Sequence, residues 1–124
     1  MKILVAEDEP LMLKTIELRL RKDGHEVVLA RDGREALLAI DSQAPDLVIS
    51  DIMMPFSSGL EIVSRLRARG ERYIPVIILS GMGQEKTVLE AFNLGADDFI
   101  TKPFSPNELS MRVRKLAARP QVTS

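Results

Sequence analysis

Leu47-Val48-Ile49-Ser50-Asp51 is a short apolar run that ends on a carboxylate, and both parts of it decide how the chain is read. The run over 47–50 does not alternate with polar residues, as a strand half-exposed to water would. A continuous run of this length fits a strand buried on both faces of a parallel sheet. Four similar runs accompany it, at 3–6, 27–30, 76–79 and 99–100. Between them lie segments with helical spacing. Met12, Ile16 and Leu20 recur at four-residue steps, Leu60, Val63 and Leu66 at three, and Leu109, Val113 and Leu116 at four and three.

The punctuation agrees with this alternation. Pro10 and Pro106 suit the first turn of a helix, where a missing N–H costs nothing. Asp32 with Glu35, and Ser105 with Glu108, have the spacing of capping boxes. Gly24, Gly70 and Gly95 each follow a helical segment, where a left-handed residue closes the last turn. Pro45 and Pro75 stand just before the third and fourth strands. A βα unit repeated five times gives an α/β fold, with one doubly wound, five-stranded parallel sheet covered by helices on both sides. Of the two common strand orders, five strands favour the flavodoxin-like 2-1-3-4-5. One domain over 1–118 is expected, with 119–124 a tail or the start of a linker.

Composition excludes several classes. The chain of 124 residues has no cysteine, so disulfides, thiolate metal sites and thiol catalysis are absent; its single histidine, His25, argues against a His-rich metal site. With a formal net charge of −1, no segment concentrates Lys and Arg as a nucleic-acid footprint would. Arg65, Arg67, Arg69 and Arg72 come nearest, and a solvated helix face accounts for them. No run is long enough to span a bilayer and no signal peptide is read at the amino terminus, so a cytoplasmic location is expected.

Ligands of such sheets bind beyond the carboxyl ends of the strands, where strand order reverses. Glu7 and Asp8 follow strand one, Asp51 strand three, Ser80 strand four, and Lys102 strand five. Three carboxylates on one rim repel one another, and a hard cation such as Mg²⁺ removes that cost. Asp8 and Asp51 could bind it directly, with Glu7 acting through water. Lys102 adds a positive charge, Ser80 a hydroxyl, and Gly81 leaves space beside it. The set suits carboxylate, metal and phosphate together.

These residues resemble the receiver domain of two-component response regulators. The matching stretches are Val5-Ala6-Glu7-Asp8-Glu9-Pro10, Asp51-Ile52-Met53-Met54-Pro55, Val76-Ile77-Ile78-Leu79-Ser80-Gly81 and Gly95-Ala96-Asp97-Asp98-Phe99-Ile100-Thr101-Lys102-Pro103-Phe104. The resemblance implies that Asp51 is the phosphoacceptor, Glu7 and Asp8 the acidic pair, and Met53 the donor of a backbone carbonyl to Mg²⁺ (or Mn²⁺). It makes Ser80 the switching hydroxyl, Phe99 the switching aromatic, Lys102 the phosphate-binding amine, and the bond before Pro103 cis. The partner would be a sensor histidine kinase or a histidine phosphotransfer protein. The output face would be helix four, strand five and helix five, which in transcription-factor receivers pairs active protomers through charges. Asp97, Asp98 and Arg112 resemble part of that set, whereas Val88 and Asn93 stand where relatives carry charge. A monomer, or a weak activation-dependent dimer, is expected, with no direct binding of nucleic acid or membrane. In one departure, Phe56-Ser57-Ser58-Gly59 replaces the family's usual Gly-plus-acidic turn.

Taken singly, most of these residues have plainer readings. Met53, Met54 and Met82 fit as gap-filling core residues, and Phe99 as core. A flavin binder would need a phosphate-cradling loop where Glu7-Asp8-Glu9-Pro10 stands. An aspartate-nucleophile phosphohydrolase would carry its carboxylate pair after strand one with one residue between. A receiver-like module without the chemistry would lack the site residues that are present here.

Overall fold

A computed structural model of the chain describes residues 1–70 and 72–118; the expected tail at 119–124 lies outside the described residues. Ten elements alternate strictly: β1 (Lys2–Ala6), α1 (Pro10–Lys22), β2 (Glu26–Ala30), α2 (Gly33–Gln43), β3 (Leu47–Asp51), α3 (Gly59–Ala68), β4 (Val76–Ser80), α4 (Glu85–Leu94), β5 (Asp98–Thr101) and α5 (Pro106–Ala117). The strands form one parallel sheet in the order β2-β1-β3-β4-β5. Strand order therefore reverses between β1 and β3, and their carboxyl ends open the crevice where a ligand is expected.

The two-residue period of a strand explains why the runs are continuous. Ile3 and Val5 of β1, with Leu47 and Ile49 of β3, face α1 and α5, packing on Leu13, Ile16, Leu20, Leu109 and Val113. Their neighbours Leu4, Ala6 and Val48 face the other way, onto Ala36, Ile40, Ile62, Val63 and Val88 of α2, α3 and α4. Both faces are dry, so the run is apolar up to Ser50, whose buried hydroxyl donates to the Asp51 carbonyl. Truncating a fully buried member such as Ile49 would cost about 2–5 kcal/mol.

Two sequence-based expectations shift. On α1 the buried stripe is Leu13, Ile16 and Leu20, while Met12 is only half-buried; on α3 it is Ile62, Val63 and Leu66, with Leu60 half-buried. The edge strands are not buried on both faces: Glu26 is exposed on β2, and Asp98, Phe99 and Thr101 keep contact with solvent on β5. An edge strand has one neighbour and partial helix cover, so continuity of an apolar run does not guarantee its burial.

The caps follow the sequence with one modification. Asp32 and Ser105 accept the amides of Glu35 and Glu108, but the return bonds of true capping boxes are replaced. Glu35 accepts instead from the Arg31 amide, and Glu108 from Arg112. The two missed caps are Glu9, whose carboxylate accepts the Leu11 and Met12 amides ahead of Pro10, and Ser58, whose hydroxyl accepts the Glu61 amide at the start of α3.

Candidate functional site

Glu7 is the first residue beyond β1, and its amide donates to the Ala30 carbonyl at 3.0 Å. Its side chain is fully buried. One carboxylate oxygen accepts from the Glu9 amide at 3.1 Å and the other from Lys102 Nζ at 2.6 Å. Asp51 ends β3, with Oδ2 accepting from Lys102 Nζ at 2.9 Å and Oδ1 from the Met53 amide at 3.5 Å. Lys102 lies just past β5, its amide bonded to the Ser80 carbonyl at 2.7 Å, and the Lys102–Pro103 peptide is cis. Asp8 is exposed, and oxygens of Glu7, Asp8 and Asp51 all lie within 4.8 Å of one another. Four residues from three strand ends, far apart in sequence, thus meet at one point.

The electrostatics are unbalanced. Burial pushes Glu7 up to about 7, against the hydrogen bonds from Lys102 and the Glu9 amide, and the Asp51 charge adds to the rise. Burial pulls the Lys102 ammonium down, but hydrogen bonds to Glu7 and Asp51 outweigh it and hold its pKa above the ordinary lysine value. Three carboxylates face one ammonium. The donors are all hard oxygens and the Asp8 side is open to water, so the cluster could hold a metal ion of the kind that keeps part of its hydration shell.

The loop from β3 to α3 is tightly held. The Ile52 amide donates to Leu79 and its carbonyl accepts from Gly59, at 2.9 and 3.0 Å. A side chain on Gly59 would come within 2.8 Å of the Asp51 carbonyl, which explains a glycine there. Phe56 adopts φ +73°, the left-handed region, and its ring lies exposed beneath the Arg34 guanidinium at 4.3 Å. Neither Arg34 nor Gly33, whose Cβ would strike Ser57 at 2.2–2.5 Å, was legible as part of this region. Met53 and Met82 are largely exposed, correcting their reading as gap-fillers; only Met54 packs against the core.

Ser80, the last residue of β4, is buried, and the Gly81 amide beside it donates to the Gln84 side chain. Phe99 is 39% exposed rather than core. It stands on the edge strand, edge-to-face with Phe92 at 5.8 Å. A cavity of about 310 Å³ between α4 and β5 is lined by Ser80, Val88, Leu89, Phe92, Phe99 and Thr101. The three charged residues expected near this face are engaged within the chain. Arg112 Nη1 is shared between both carboxylate oxygens of Asp98 at 3.0 Å, and Asp97 accepts from Arg67, Tyr73 and the Val76 amide. The arginines thought to line a solvated face are mostly staples. Arg67 also donates to the carbonyls of Gly95 and Ile74, Arg69 to that of Ile40, and Arg72 to that of Pro45.

The response regulator receiver domain family matches residues 3–114, and the chain belongs to that family. A probable transcriptional regulator, ycf27, of Cyanophora paradoxa is 42% identical over 118 residues, 95% of this chain and 48% of its own length. The alkaline phosphatase synthesis transcriptional regulatory protein PhoP of Bacillus subtilis is 35% identical over 123 residues, 99% of this chain and 51% of its own length. The chain thus spans about half the length of these curated relatives. Among solved structures, a putative response regulator from Chloroflexus aurantiacus superposes with a TM-score of 0.88 at 33% identity, covering 95% of this chain and 98% of that one. No helix among the described residues is long and apolar enough to cross a membrane.

Proposed function

We propose that the chain is a phosphorylation switch in which Asp51 accepts a phosphoryl group from a sensor histidine kinase or a histidine phosphotransfer protein in the cytoplasm. The observation that carries this reading is the single Lys102 ammonium bonded to both Glu7 and Asp51 in a cluster open to solvent at Asp8. Asp8, Asp51 and the Met53 backbone carbonyl would hold Mg²⁺ or Mn²⁺, with Glu7 acting through water; the ion supplies positive charge beside the phosphoryl oxygens. Asp51 Oδ1, held only by the Met53 amide at 3.5 Å, would be the oxygen that attacks phosphorus. The new O–P bond forms as the donor's N–P bond breaks, and the electron pair leaves with the donor imidazole. In the loose transition state, negative charge gathers on the phosphoryl oxygens. Lys102 balances it, and the Ser80 hydroxyl donates to it. The domain catalyses only its own phosphorylation and dephosphorylation, so it is a switch rather than an enzyme with a turned-over substrate.

Ser80 then moves toward the phosphoryl group and Phe99 swings into the cavity it now borders, a shift between two existing states. That changes the α4-β5-α5 face presented to an output domain or partner. Because Asp97, Asp98 and Arg112 are already paired within the chain, dimers through this face would be weak and depend on activation. Incubation with acetyl phosphate and Mg²⁺ should raise the intact mass by one phosphoryl group, and Asp51→Asn should abolish the gain. Undiminished labelling of Asp51→Asn would overturn the assignment.

A further inference from the structure

The β3–α3 loop contains the sharpest backbone anomaly near the site. Phe56 takes φ +73°, and the Ser57 amide donates back to the Pro55 carbonyl at 2.9 Å, closing a three-residue turn around it. A γ-turn with positive φ is rare and strained, and a residue with a Cβ persists there only when its surroundings over-determine it. Two features do so. The Pro55 carbonyl also accepts the Gly33 amide at 3.1 Å, pinning the turn to the start of α2. One residue on, the Arg34 guanidinium covers the Phe56 ring at 4.3 Å. No side chain other than hydrogen fits at Gly33, because a Cβ there would overlap Ser57. Backbone and side chain of α2 therefore grip the loop together.

The gripped segment brackets Met53. On one side Ile52 has both backbone groups bonded, and on the other the Pro55 carbonyl carries two donors. Only two peptides lie between these anchors, so fixing Pro55 limits where the Met53 carbonyl can point. We infer that Arg34 and Phe56 are a positioning pair: their stack stabilises the strained turn and so sets the orientation of the Met53 carbonyl toward the cation. This inference rests on the proposed metal reading of the acidic cluster. Both side chains are exposed, so their replacement leaves the core untouched and the variants should fold.

The test separates the grip from the metal. Amide hydrogen exchange of the full chain in EDTA reads the Gly33 and Ser57 amides, the two donors to Pro55. Arg34→Ala and Phe56→Leu should each speed exchange at both by about two- to five-fold, the worth of an exposed cation–π contact. Amides within β3 should not change. Titration with Mg²⁺ alone, followed by the shifts of those same amides, should show affinity falling by about the same factor. Arg34→Lys and Phe56→Trp, which keep a cation over a ring, should restore both readouts. Unchanged exchange and Mg²⁺ affinity in Arg34→Ala and Phe56→Leu would overturn the inference, as would faster exchange with affinity unaltered. A wild-type chain that binds no Mg²⁺ would instead refute the metal reading itself, with the exchange rates still deciding the grip.

Discussion

The two rims of the sheet carry similar charged residues and use them in opposite ways. At the amino-terminal rim, the carboxylates of Asp46 and Asp97, just ahead of β3 and β5, each have several donors matched to them. Asp46 accepts the Lys2 amide at 2.7 Å and Arg72 at 2.9 Å, and these hold its carboxyl below the usual aspartate value. Asp97, with a side chain only 6% exposed, is met by Arg67 at 2.9 Å, by the Val76 amide at 2.8 Å and by Tyr73. At the carboxyl-terminal rim three carboxylates converge on one ammonium, and Glu7 is driven up to about 7. A structural cluster stabilises its own charges; the carboxyl-terminal one is left short of them, as the proposed switch requires. Acidity alone does not distinguish the rims, but the ratio of donors to carboxylates does.

The largest effect should come from breaking the balanced rim. Asp97→Ala leaves Arg67 and the Val76 amide without their buried acceptor and should cost about 2–4 kcal/mol in denaturant unfolding. A loss below about 1 kcal/mol would mean that the amino-terminal cluster is as loosely satisfied as the other. Glu7→Gln should act with the opposite sign. The carboxyl of Glu7 lies at about 7 in the fold against an ordinary 4.5, so the folded state holds the proton more tightly. Its stabilising contribution is complete below pH 4.5 and is lost as pH rises toward 7. In EDTA above pH 7 the glutamine should therefore be more stable than the wild type, by on the order of 1–3 kcal/mol, the attraction of Lys102 being already contained in the raised value. Unfolding across pH 4.5 to 7 should also be flatter than in the wild type. A destabilised Glu7→Gln would show that Lys102 balances the site after all.

Much of this contrast was open to sequence reading, and its limits are physical. The strands of the sheet centre declared themselves because both faces are dry, and the site residues because each stands at or just beyond the carboxyl end of a strand. Burial on the edges did not, since Phe99 follows the same apolar pattern as Ile49 yet is only partly covered, by α4 through Phe92. The adjacent Asp97 and Asp98 look alike in sequence, but one is a buried acceptor and the other half of a partly exposed pair. The arginines between 65 and 72 read as a solvated face because many of their targets are backbone carbonyls, which leave no trace in a charge pattern. The grip of Gly33 and Arg34 on the β3–α3 loop was equally silent, because the tertiary approach of α2 creates it.

Asp46→Asn should sharpen the comparison at a smaller scale. Asp46 has its pKa below the ordinary 3.8 in the fold, so its contribution is present above that value and disappears as pH falls through the folded one. The variant should lose about 0.5–1.5 kcal/mol at neutral pH and match the wild type in strong acid. A pH-independent deficit would assign the loss to packing rather than to charge.

The smallest effect on stability should accompany the greatest loss of function. Asp8 is exposed and close to two like charges, so without metal Asp8→Ala should alter unfolding by less than about 0.5 kcal/mol. The Mg²⁺ dependence should change completely. A ligand that binds only the folded state adds about 2.7 kcal/mol at one hundred times its dissociation constant. Wild type should show that rise on titration with Mg²⁺, and Asp8→Ala should not, while also failing to gain mass with acetyl phosphate. If the variant kept the rise, Asp8 would not be a ligand and the cation would have to rest on Glu7 and Asp51. If it lost stability without metal, Asp8 would belong with Asp46 and Asp97 as a structural acceptor, and the division between the rims would fail at its most exposed carboxylate.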